Sequence, residues 1–379
     1  MLLFHPPTWK GASFMDLNEK LQEVCKGFRI EDQYLGYETI QMGNVNCTYK
    51  VNFRLNSTGE EKSFLVQNVN TYAFRNPIGL MENIDSVTEH IRIKNPGKIA
   101  LHFHHTPDRK TYIIDGENFW RMTNYIPSIT YNSVKDLDIV RNAGMAFGEF
   151  QDELADFDIS RLHETIPNFH NTRSRYDHLE EAVKLDPAGR VKEVQRELDF
   201  LLAHRDQGCI LTDLLRQGQL PLRVTHNDTK INNVLFNPDD SRAMVVIDLD
   251  TVMPGLMGHD FGDAIRFAAN RVEEDSTDYE KAGVDLEVFR AFSQGFLAKT
   301  AGSMTEKEVD TLAMSCFALT DELAVRFLDD YIRGDLYFKT RRPGHNLERA
   351  RCQIALAADM LRQMPQMDRI VKDCVAAAR

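Results

Sequence analysis

The sequence predicts an α+β protein, in which a small lobe of antiparallel strands is followed by a larger, mainly helical lobe. Three observations predict this class. Much of the chain before Pro127 alternates apolar and polar side chains with the period of two that is typical of strands. Apolar residues after Pro127 recur with the helical period instead. One hairpin-like stretch, residues 225–248, interrupts the helical half and carries a dense cluster of polar residues.

The strands of the small lobe are marked by alternation and by turn residues. Tyr49 and Val51 alternate with polar neighbours, which predicts a half-buried strand. The segment NSTGEEK (56–62) predicts a turn, and FLVQNV (64–69) predicts the next strand. The segment GNVN (43–46) predicts a tight, glycine-containing loop between the first two strands. Together these segments indicate an antiparallel sheet.

A helix over 78–93 and a further hairpin over 111–126 complete the predicted small lobe. Strands combined with one helix in this order are typical of a small α+β unit. We therefore expect three parts in the chain: a disordered or accessory extension over 1–14, an N-terminal lobe over 15–126, and a C-terminal helical lobe over 127–379.

The helical lobe is predicted from apolar faces that repeat every three to four residues. Its predicted helices lie at 136–158, 191–204, 284–299 and 305–333. Thr305 and Glu308 form a capping-box pattern, which marks the start of the last of these helices. The interruption at 225–248 divides into a polar stretch, the turn NPDDS (237–241) and a short apolar strand.

Composition excludes several classes of function. The net charge of −12 argues against a nucleic-acid partner, because such a partner needs a surface that neutralises phosphates. The six cysteines are scattered and lack zinc spacing, which fits reduced thiols in a cytoplasmic protein. The opening residues lack the basic and apolar regions of a signal peptide, and we interpret them as an extension before a start at Met15. No apolar run is long enough for a membrane span.

The polar cluster lies in the segment THNDTKINNVLF, which places His226, Asp228, Lys230 and Asn233 within eight positions. This spacing resembles the catalytic loop of the protein-kinase-like superfamily. In that loop an aspartate accepts the proton of the attacking hydroxyl, a lysine neutralises the γ-phosphate and an asparagine binds magnesium. Positioned charge supplies most of the catalysis in such a transfer. The alternative interpretation is a polar surface loop that matches by coincidence.

A further metal ligand is expected after this loop. Asp248 ends the apolar strand VVID, 20 residues after Asp228, where a hairpin would return it beside the asparagine of the loop. Asp260 begins the triplet DFG, the magnesium motif of protein kinases, but it lies 32 residues after Asp228 and follows a Pro-Gly turn. We therefore predict Asp248 as the principal metal ligand, with Asp250 as an auxiliary. Asp260 is predicted to cap or brace the loop.

A family resemblance extends over most of the chain. Its strongest part, RVTHNDTKINNVLF to VVIDLDTVMPGLMGHDFGDAIRF, is similar to the aminoglycoside phosphotransferase and choline kinase family. Further similar segments are 43–49, 80–88, 169–176, 326–338 and 345–351, and the last of them narrows the resemblance to the N-acetylhexosamine 1-kinase branch. The resemblance implies a bilobal protein-kinase-like fold, with ATP between the lobes and a sugar pocket walled by the helical lobe.

The resemblance also implies roles for individual residues around the acceptor. It makes Asp228 the catalytic base, with Lys230 beside it, and it assigns Mg²⁺ to Asn233 and Asp248. The substrate-binding residues that it implies are Asn44, Asp228, Arg326 and Tyr337. Asn44 stands where close relatives have a histidine that reaches towards the sugar, so the preferred epimer and N-substituent stay open.

Arg326 and Tyr337 are 11 residues apart, which is three helical turns plus about 20°. They would share a helix face unless Gly334 breaks the helix. For Arg326 the alternative interpretation is a surface salt bridge with Asp329 or Asp330, and for Tyr337 it is a place in an amphipathic core.

The nucleotide-binding residues that the resemblance implies lie in the small lobe: Gly43, Asn46, Thr48, Gln67, Asn124 and Tyr125. Gln67 occupies the position where many kinases have a lysine that grips the α- and β-phosphates. Asn124 and Tyr125 belong to a linker, TNYIP (123–127), that would meet the adenine through backbone groups. His226 is interpreted as a buried scaffold residue, because the mechanism already has a base.

The leading hypothesis is an ATP- and Mg²⁺-dependent kinase that phosphorylates the anomeric hydroxyl of an N-acetylhexosamine. A second hypothesis keeps the fold and changes the acceptor to choline, methylthioribose or an aminoglycoside. Arg326 disfavours a cationic acceptor. A third hypothesis is a nucleotide-binding pseudokinase, which the lysine replaced by Gln67 supports and the intact catalytic loop opposes. The expected partners are a small-molecule sugar and ATP, without nucleic acid or membrane, and the oligomeric state and the choice between ATP and GTP stay open.

Overall fold

The chain forms two units in the computed structural model, which describes residues 16–40, 45–132 and 136–379. The sheet unit contains the described residues up to Ser128 together with Ser160–Ile166. The helical unit contains the described residues of Ile129–Ile159 together with Pro167–Arg379. One small antiparallel sheet and many helices confirm the predicted α+β class.

A five-stranded antiparallel sheet and two helices make up the described part of the sheet unit. Along the chain they are α1 (Leu17–Gly27), β1 (Gln33–Ile40), β2 (Cys47–Arg54), β3 (Glu61–Asn68), α2 (Pro77–Lys94), β4 (Ile113–Asp115) and β5 (Asn118–Asn124). The strand order across the sheet is β1-β2-β3-β5-β4. The predicted helix over 78–93 and the predicted hairpin over 111–126 are therefore confirmed.

The alternation in β2 determines which face of the sheet is buried. Tyr49, Val51 and Phe53 are almost completely buried, whereas Lys50 and Asn52 remain partly exposed. The buried residues pack in one apolar cluster with residues of β3 and β5. A single row of alternate side chains thus forms the core face, as the sequence predicts.

Helix α1 was not predicted from the sequence. Leu21, Val24 and Cys25 lie at helical spacing on one narrow face and join the same apolar cluster as the strands. Its remaining positions are mostly polar, so the helix has only a narrow apolar stripe. Packing against the sheet, rather than intrinsic propensity, stabilises a helix of this length.

Eight helices and four short strands form the described part of the helical unit. The helices are α3 (Leu137–Glu153), α4 (Thr172–Leu185), α5 (Gln195–Gly208), α6 (Ile210–Arg216), α7 (Met257–Ala268), α8 (Leu286–Thr300), α9 (Glu306–Arg333) and α10 (His345–Ala378). The strands are β6 (Arg223–Thr225), β7 (Val234–Phe236), β8 (Ala243–Val246) and β9 (Met253–Gly255). They form two antiparallel pairs, β6 with β9 and, between them in the chain, the hairpin of β7 and β8.

Capping interactions define both ends of α9. Thr305 Oγ1 accepts a hydrogen bond from Glu308 N, and Thr305 N donates to Glu308 Oε2, which confirms the predicted capping box at the start of α9. Helix α9 ends before Gly334, whose φ of 98° forms the left-handed cap that glycine favours. Helix α3 ends at Glu153, five residues earlier than predicted.

Helices α3 and α8 approach each other unusually closely, because glycines line their contact. A Cβ atom at Gly144 would lie 2.3 Å from the backbone oxygen of Phe292, and one at Gly295 would lie 2.0 Å from that of Arg141. No larger residue fits at these positions without movement of the backbone. The contact therefore fixes the position of α3, from which Phe147 contributes to the site described below.

Within the described residues, none of the helices combines the length and the apolar character needed to cross a membrane. The six cysteines are all free thiols, and five of them are buried.

Candidate active site

The polar loop that was predicted to be catalytic connects β6 to β7 in the helical unit. Its His226 is completely buried. The His226 ring packs edge-on against Phe147 and Phe150 of α3, and its Nε2 atom bonds to the backbone oxygen of Ile247. The Nδ1 atom of the same ring accepts a hydrogen bond from the N–H of Asp228. His226 is thus a hydrogen-bonded scaffold residue, as expected.

Asp260 of α7 braces the loop from behind. Its carboxylate accepts hydrogen bonds from the backbone N–H groups of His226, at 2.9 Å, and Asn227, at 2.7 Å. Gln151 of α3 donates to the same carboxylate, and the Thr229 hydroxyl donates to the Asp260 backbone oxygen. Burial raises the pKa of Asp260, although its hydrogen bonds oppose the shift. The prediction that Asp260 braces the loop is confirmed.

Asn227 has a left-handed backbone conformation, with a φ of 64°. Its side chain explains why this conformation is stable, because Nδ2 donates to the backbone oxygen of Thr251 at 2.9 Å and Oδ1 accepts from the Thr225 hydroxyl. Asparagine tolerates the left-handed region better than most residues. The local sequence therefore turns the chain sharply just before Asp228.

Asp228 and Lys230 form an ion pair at the partly exposed surface of the loop, with 2.7 Å between Oδ1 and Nζ. Burial raises the pKa of the Asp228 carboxyl, but the Lys230 ammonium outweighs this effect, and the pKa lies below its ordinary value. The pKa of Lys230 is raised: burial opposes the shift, and the charges of Asp228 and Asp263 outweigh it. Both groups are therefore charged at neutral pH.

Asn233 lies directly beside Asp228. Its Nδ2 atom donates to the backbone oxygen of Asp228 at 2.9 Å and to the Asp228 carboxylate at 3.2 Å. This bond assigns the amide orientation, so the Asn233 side-chain oxygen points away from Asp228. The structure thus brings together three of the predicted residues, Asp228, Lys230 and Asn233.

Asp248 returns towards Asn233 through the hairpin of β7 and β8. Val234 pairs with Val246, and the N–H of Ile247 donates to the backbone oxygen of Asn233 at 2.8 Å. Asp248 was predicted to end the strand. It instead follows β8 in a left-handed conformation with a φ of 61°. This turn exposes the Asp248 side chain.

The donors at this point suit a magnesium ion. Asn233 offers an amide oxygen and Asp248 a carboxylate, and Mg²⁺ prefers hard oxygen ligands, with one or two from the protein. Asp250, the predicted auxiliary ligand, is almost completely buried. Within residues 16–40, 45–132 and 136–379, no three His, Cys, Asp or Glu side chains group at metal-binding distance. A metal here would therefore take its other ligands from water or from a phosphate.

Arg326 and Tyr337 line one cavity of about 240 Å³ in the helical unit. They do not share a helix face, because Gly334 ends α9 after Arg333, the break that the sequence had left open, and Tyr337 lies in the loop that follows. That loop folds back, so the two side chains still meet at the cavity. Tyr337 is 55% exposed, which contradicts its alternative interpretation as a core residue.

Neither of the acidic neighbours of Arg326 forms the predicted salt bridge with it. Asp329 pairs with Arg333 at 2.9 Å. Asp330 accepts hydrogen bonds from three successive backbone N–H groups, those of residues 336–338. The Arg326 guanidinium lies instead over the rings of Phe169 and Phe338, 5.8 Å and 5.5 Å from their centroids.

A buried charge cluster that no local sequence pattern indicates connects this cavity to the catalytic loop. His170 Nδ1 lies 3.0 Å from the Glu322 carboxylate, and His170 Nε2 lies 3.4 Å from the backbone oxygen of Asn227. Thr172 donates to the second oxygen of Glu322 at 2.8 Å. Glu322 precedes Arg326 by about one turn of α9. The sequence indicated this region only because the segment FHNTRSRY (169–176) is similar to the corresponding segment of the family.

The predicted nucleotide-binding residues that the structure describes all belong to the sheet unit. Gln67 of β3 donates from Nε2 to the Thr48 hydroxyl at 3.0 Å, and its Oε1 accepts from Arg121 Nε at 2.9 Å. Asn46 accepts from the N–H of Asn70 at 3.0 Å. Arg121 is a buried cation beside Gln67 that no sequence pattern indicates.

Asn124 and Tyr125 lie at the end of β5. The Asn124 side-chain oxygen lies 3.0 Å from His104 Nε2, and the N–H of Tyr125 donates to the backbone oxygen of Ser63. The two remaining predicted residues, Gly43 and Asn44, lie outside the described residues.

Comparison with known proteins identifies the class to which this fold and site belong. A model of the phosphotransferase enzyme family (APH) matches residues 99–292, just over half of the chain. The protein therefore belongs to this family of phosphotransferases. The predicted resemblance to the aminoglycoside phosphotransferase and choline kinase family is confirmed at the level of the family.

Three solved structures share the fold at 13% sequence identity. A microcompartment-associated aminopropanol kinase has a TM-score of 0.60, with 92% of this chain and 98% of that chain covered. An aminoglycoside phosphotransferase from Alicyclobacillus acidocaldarius has a TM-score of 0.57, with 97% and 96% covered. A spectinomycin phosphotransferase in complex with ADP and spectinomycin has a TM-score of 0.54, with 90% and 98% covered. These structures establish the kinase-like fold of the chain.

Proposed function

We propose that the protein transfers the γ-phosphoryl group of ATP to the anomeric hydroxyl of an N-acetylhexosamine. The observation that carries this proposal is the arrangement of Asp228, Lys230 and Asn233 in one loop of the helical unit. An ionised base, a cation and an amide oxygen in this order supply the groups that phosphoryl transfer to an alcohol needs. Family membership and the solved structures of the same fold support a small-molecule kinase.

Asp228 is the proposed general base. Its lowered pKa keeps the carboxylate ionised at neutral pH, so it can accept the proton of the attacking hydroxyl on an oxygen atom. Asn233 holds this carboxylate by a hydrogen bond of 3.2 Å and fixes its direction. Lys230, which pairs with Asp228, is the proposed cation for the negative charge of the transferred group.

Asn233 and Asp248 are the proposed magnesium ligands, and the oxygen donors of both side chains fit that ion. A magnesium ion held by them would neutralise charge on the phosphates of the nucleotide. ATP is the proposed co-substrate, which the ADP complex of the spectinomycin phosphotransferase supports. In the sheet unit, the proposed nucleotide contacts are Gly43, Asn46, Thr48, Gln67, Asn124 and Tyr125.

Arg326 and Tyr337 are the proposed acceptor contacts. The Arg326 guanidinium lines the cavity of about 240 Å³ and has several N–H groups that can donate to sugar hydroxyl or acyl oxygens. A cation at this position disfavours an acceptor with an ammonium group. A neutral sugar fits the cavity better than an amino alcohol does, although solved structures of the same fold include an aminopropanol kinase.

The test is a screen of acceptors by ADP release. Free N-acetylglucosamine and N-acetylgalactosamine should be phosphorylated, and phosphorus NMR should place the new phosphate on carbon one. The methyl glycosides of both sugars should be unreactive, because methylation removes the attacking hydroxyl, and they should still bind as inhibitors. Phosphorylation of a methyl glycoside would contradict the anomeric assignment. Turnover of choline, methylthioribose or an aminoglycoside, without turnover of either sugar, would favour the second candidate function.

A further inference from the structure

The cavity that Arg326 lines carries more positive charge than its acidic residues balance. Arg175 of α4 and Arg333 of α9 line it together with Arg326, and Asp329 and Asp330 are the acidic residues at its wall. Each of these charges can be assigned to the partners with which it forms hydrogen bonds. Among the residues that the structure describes, the guanidinium groups of Arg175 and Arg326 then form no salt bridge with a carboxylate.

Both acidic residues of the wall are already committed. Asp329 pairs with Arg333 at 2.9 Å, and Arg333 also binds Glu181 at 3.1 Å. The Asp330 carboxylate accepts hydrogen bonds from the backbone N–H groups of residues 336–338, and Asn346 donates to it as well. A carboxylate that receives four hydrogen bonds has little capacity left for a guanidinium. Arg333 is therefore neutralised, and Asp330 holds the loop.

The partners of Arg175 and Arg326 are neutral. Arg175 donates to the backbone oxygens of Asn168, at 3.1 Å, and Phe169, at 2.8 Å, while its buried Nε–H has no hydrogen-bond partner. Arg326 contacts the faces of two aromatic rings, and in the described part of the chain it forms no hydrogen bond or salt bridge. An anionic partner stabilises a guanidinium group that is partly shielded from water.

One further carboxylate, that of Glu322, is within reach of the charges of both arginines, and both of its oxygens already bind other residues. Glu322 is bound by His170 through one oxygen and by Thr172 through the other. Burial favours a raised pKa for Glu322, but the charges of His170, Arg326 and Arg175 lower the pKa to about 2. The pKa of Arg175 is lowered by burial and further by the charge of Arg326. The two guanidinium groups therefore repel each other across the cavity wall.

We propose that Arg175 and Arg326 form a subsite for an oxyanion, a carboxylate or a phosphate, that the acceptor carries in addition to the hydroxyl that is phosphorylated. The inference rests on the proposed function and makes its acceptor class more specific: a hexosamine with an anionic substituent. Planar guanidinium groups match the geometry of carboxylate and phosphate, and such charge-assisted bonds are stronger than neutral ones. Arg175 becomes a second specificity-determining residue beside Arg326.

The first measurement is equilibrium binding without ATP, so that it does not depend on phosphoryl transfer. Isothermal titration calorimetry would compare N-acetylglucosamine, its 6-phosphate and inorganic sulfate on the full chain. We expect the wild type to bind the 6-phosphate roughly 10- to 100-fold more tightly than the neutral sugar, since one such bond has about that effect. Arg175→Met and Arg326→Met should each remove most of this preference.

A matched control removes the same charge from the same helix. Lys184 is exposed near the end of α4, so Lys184→Met should leave the preference for the 6-phosphate unchanged. Both arginines are substituted separately, so a folding defect in one variant leaves the other variant to test the subsite. Equal binding of the neutral and anionic sugars by the wild type would overturn the proposal, as would a preference that survives in both arginine variants.

Titration with sulfate distinguishes an oxyanion that the sugar carries from a free oxyanion. Sulfate that competes with the 6-phosphate and loses affinity in the arginine variants supports the subsite. Tight, arginine-dependent sulfate binding without any gain in affinity for the sugar phosphate overturns the proposal and indicates a free ion as the ligand.

The turnover assay separates this inference from the proposed function. Arginine-dependent binding of the 6-phosphate without phosphorylation at carbon one would refute the proposed reaction and leave the subsite intact.

Discussion

The side-chain amide of Asn233 donates hydrogen bonds to both the backbone oxygen and the carboxylate of Asp228, at 2.9 Å and 3.2 Å. A proposed metal ligand therefore holds the proposed base in place. Because the amide uses its nitrogen for Asp228, its oxygen is the atom left to bind a cation. The two roles can be separated by substitution, because a change at Asp228 removes the base and leaves the amide oxygen of Asn233.

Asp228→Asn should abolish turnover while nucleotide binding is retained. The substitution keeps the size of the side chain and removes its negative charge and its capacity to accept a proton, and general-base catalysis contributes roughly 10²- to 10⁴-fold. Steady-state kinetics and binding of a fluorescent ADP analogue measure the two effects. Asp239→Asn, an equivalent change in the exposed turn 237–241, should leave kcat unchanged. A variant at Asp228 with half of the wild-type kcat would contradict the assignment.

Asp248→Ala should remove the magnesium dependence of nucleotide binding. The carboxylate follows β8 in an exposed turn, so its removal should change the melting temperature little. Nucleotide affinity measured with and without Mg²⁺ gives the readout. If Mg²⁺ still strengthens nucleotide binding in this variant, Asp248 is not the ligand.

Asp260→Ala should instead destabilise the fold. Its carboxylate accepts two buried backbone N–H groups, and each donor left unsatisfied costs about 1–3 kcal/mol. Urea denaturation would measure the free energy of unfolding. Nucleotide binding by the folded fraction should keep its magnesium dependence. A stable Asp260→Ala protein that has lost this dependence would show that the metal ligand is Asp260.

Arg326→Ala should raise KM for the acceptor and leave KM for ATP unchanged. A hydrogen bond from a charged group is worth about 1.5–3 kcal/mol, which corresponds to roughly 10- to 100-fold in KM. Arg196 is exposed on α5, so Arg196→Ala provides a control with the same loss of charge. Equal increases in both KM values would indicate that Arg326 supports the fold rather than the acceptor.

Glu322→Gln should change the pH dependence of stability. The pKa of Glu322 falls from 4.5 to about 2 on folding: burial opposes this fall, and the charges of His170, Arg326 and Arg175 outweigh it. An acid whose pKa is lowered stabilises the fold above its unfolded pKa, here by on the order of 3 kcal/mol. This contribution is lost as the pH falls from 4.5 towards 2.

Unfolding free energies of the wild type and of Glu322→Gln, measured between pH 7 and pH 2.5, should therefore converge at low pH. Glu280→Gln, a change of an exposed residue, should run parallel to the wild type throughout. A constant difference between the wild type and Glu322→Gln would rule out an ionic contribution from Glu322.

Gly295→Ala should destabilise the helical unit, because its Cβ would lie 2.0 Å from the backbone oxygen of Arg141. Overpacking of this kind costs about 1–3 kcal/mol. Gly302 is the matched control, since a Cβ there meets no atom within 4 Å, and Gly302→Ala should have little effect. Similar urea midpoints for the two variants would show that the helices can separate at no cost.

The features predicted best from the sequence are those set by neighbouring residues. Alternation around Val51 predicted β2, the capping box at Thr305 predicted the start of α9, and the spacing after Asp228 predicted that Asp260 is a brace. In each case the interaction depends on a local period, a local cap or a short hairpin. The signals for β2 and α9 are contained in a few consecutive residues, and the one for Asp260 depends on the chain length between it and Asp228.

The features that were missed depend on contacts between distant residues. His170 and Glu322 are 152 positions apart, and no local pattern connects them. For Tyr337 the sequence left open whether Gly334 ends the helix, and it did not indicate that Asp330 binds the backbone N–H of Tyr337 and returns this residue to the cavity that Arg326 lines. Arg175 was overlooked because it reaches the cavity only where α4 and α9, which are distant in the sequence, pack together.

The grip of Asp330 on the main chain of residues 336–338 has an evolutionary consequence. Because the carboxylate binds backbone N–H groups, the path of this segment does not depend on the side chains that it carries. Leu336 and Tyr337 are both more than half exposed and can be exchanged without unravelling the segment. The lining of the cavity can therefore change in evolution by single substitutions at these two positions, whereas loss of the Asp330 carboxylate would release the segment that carries them.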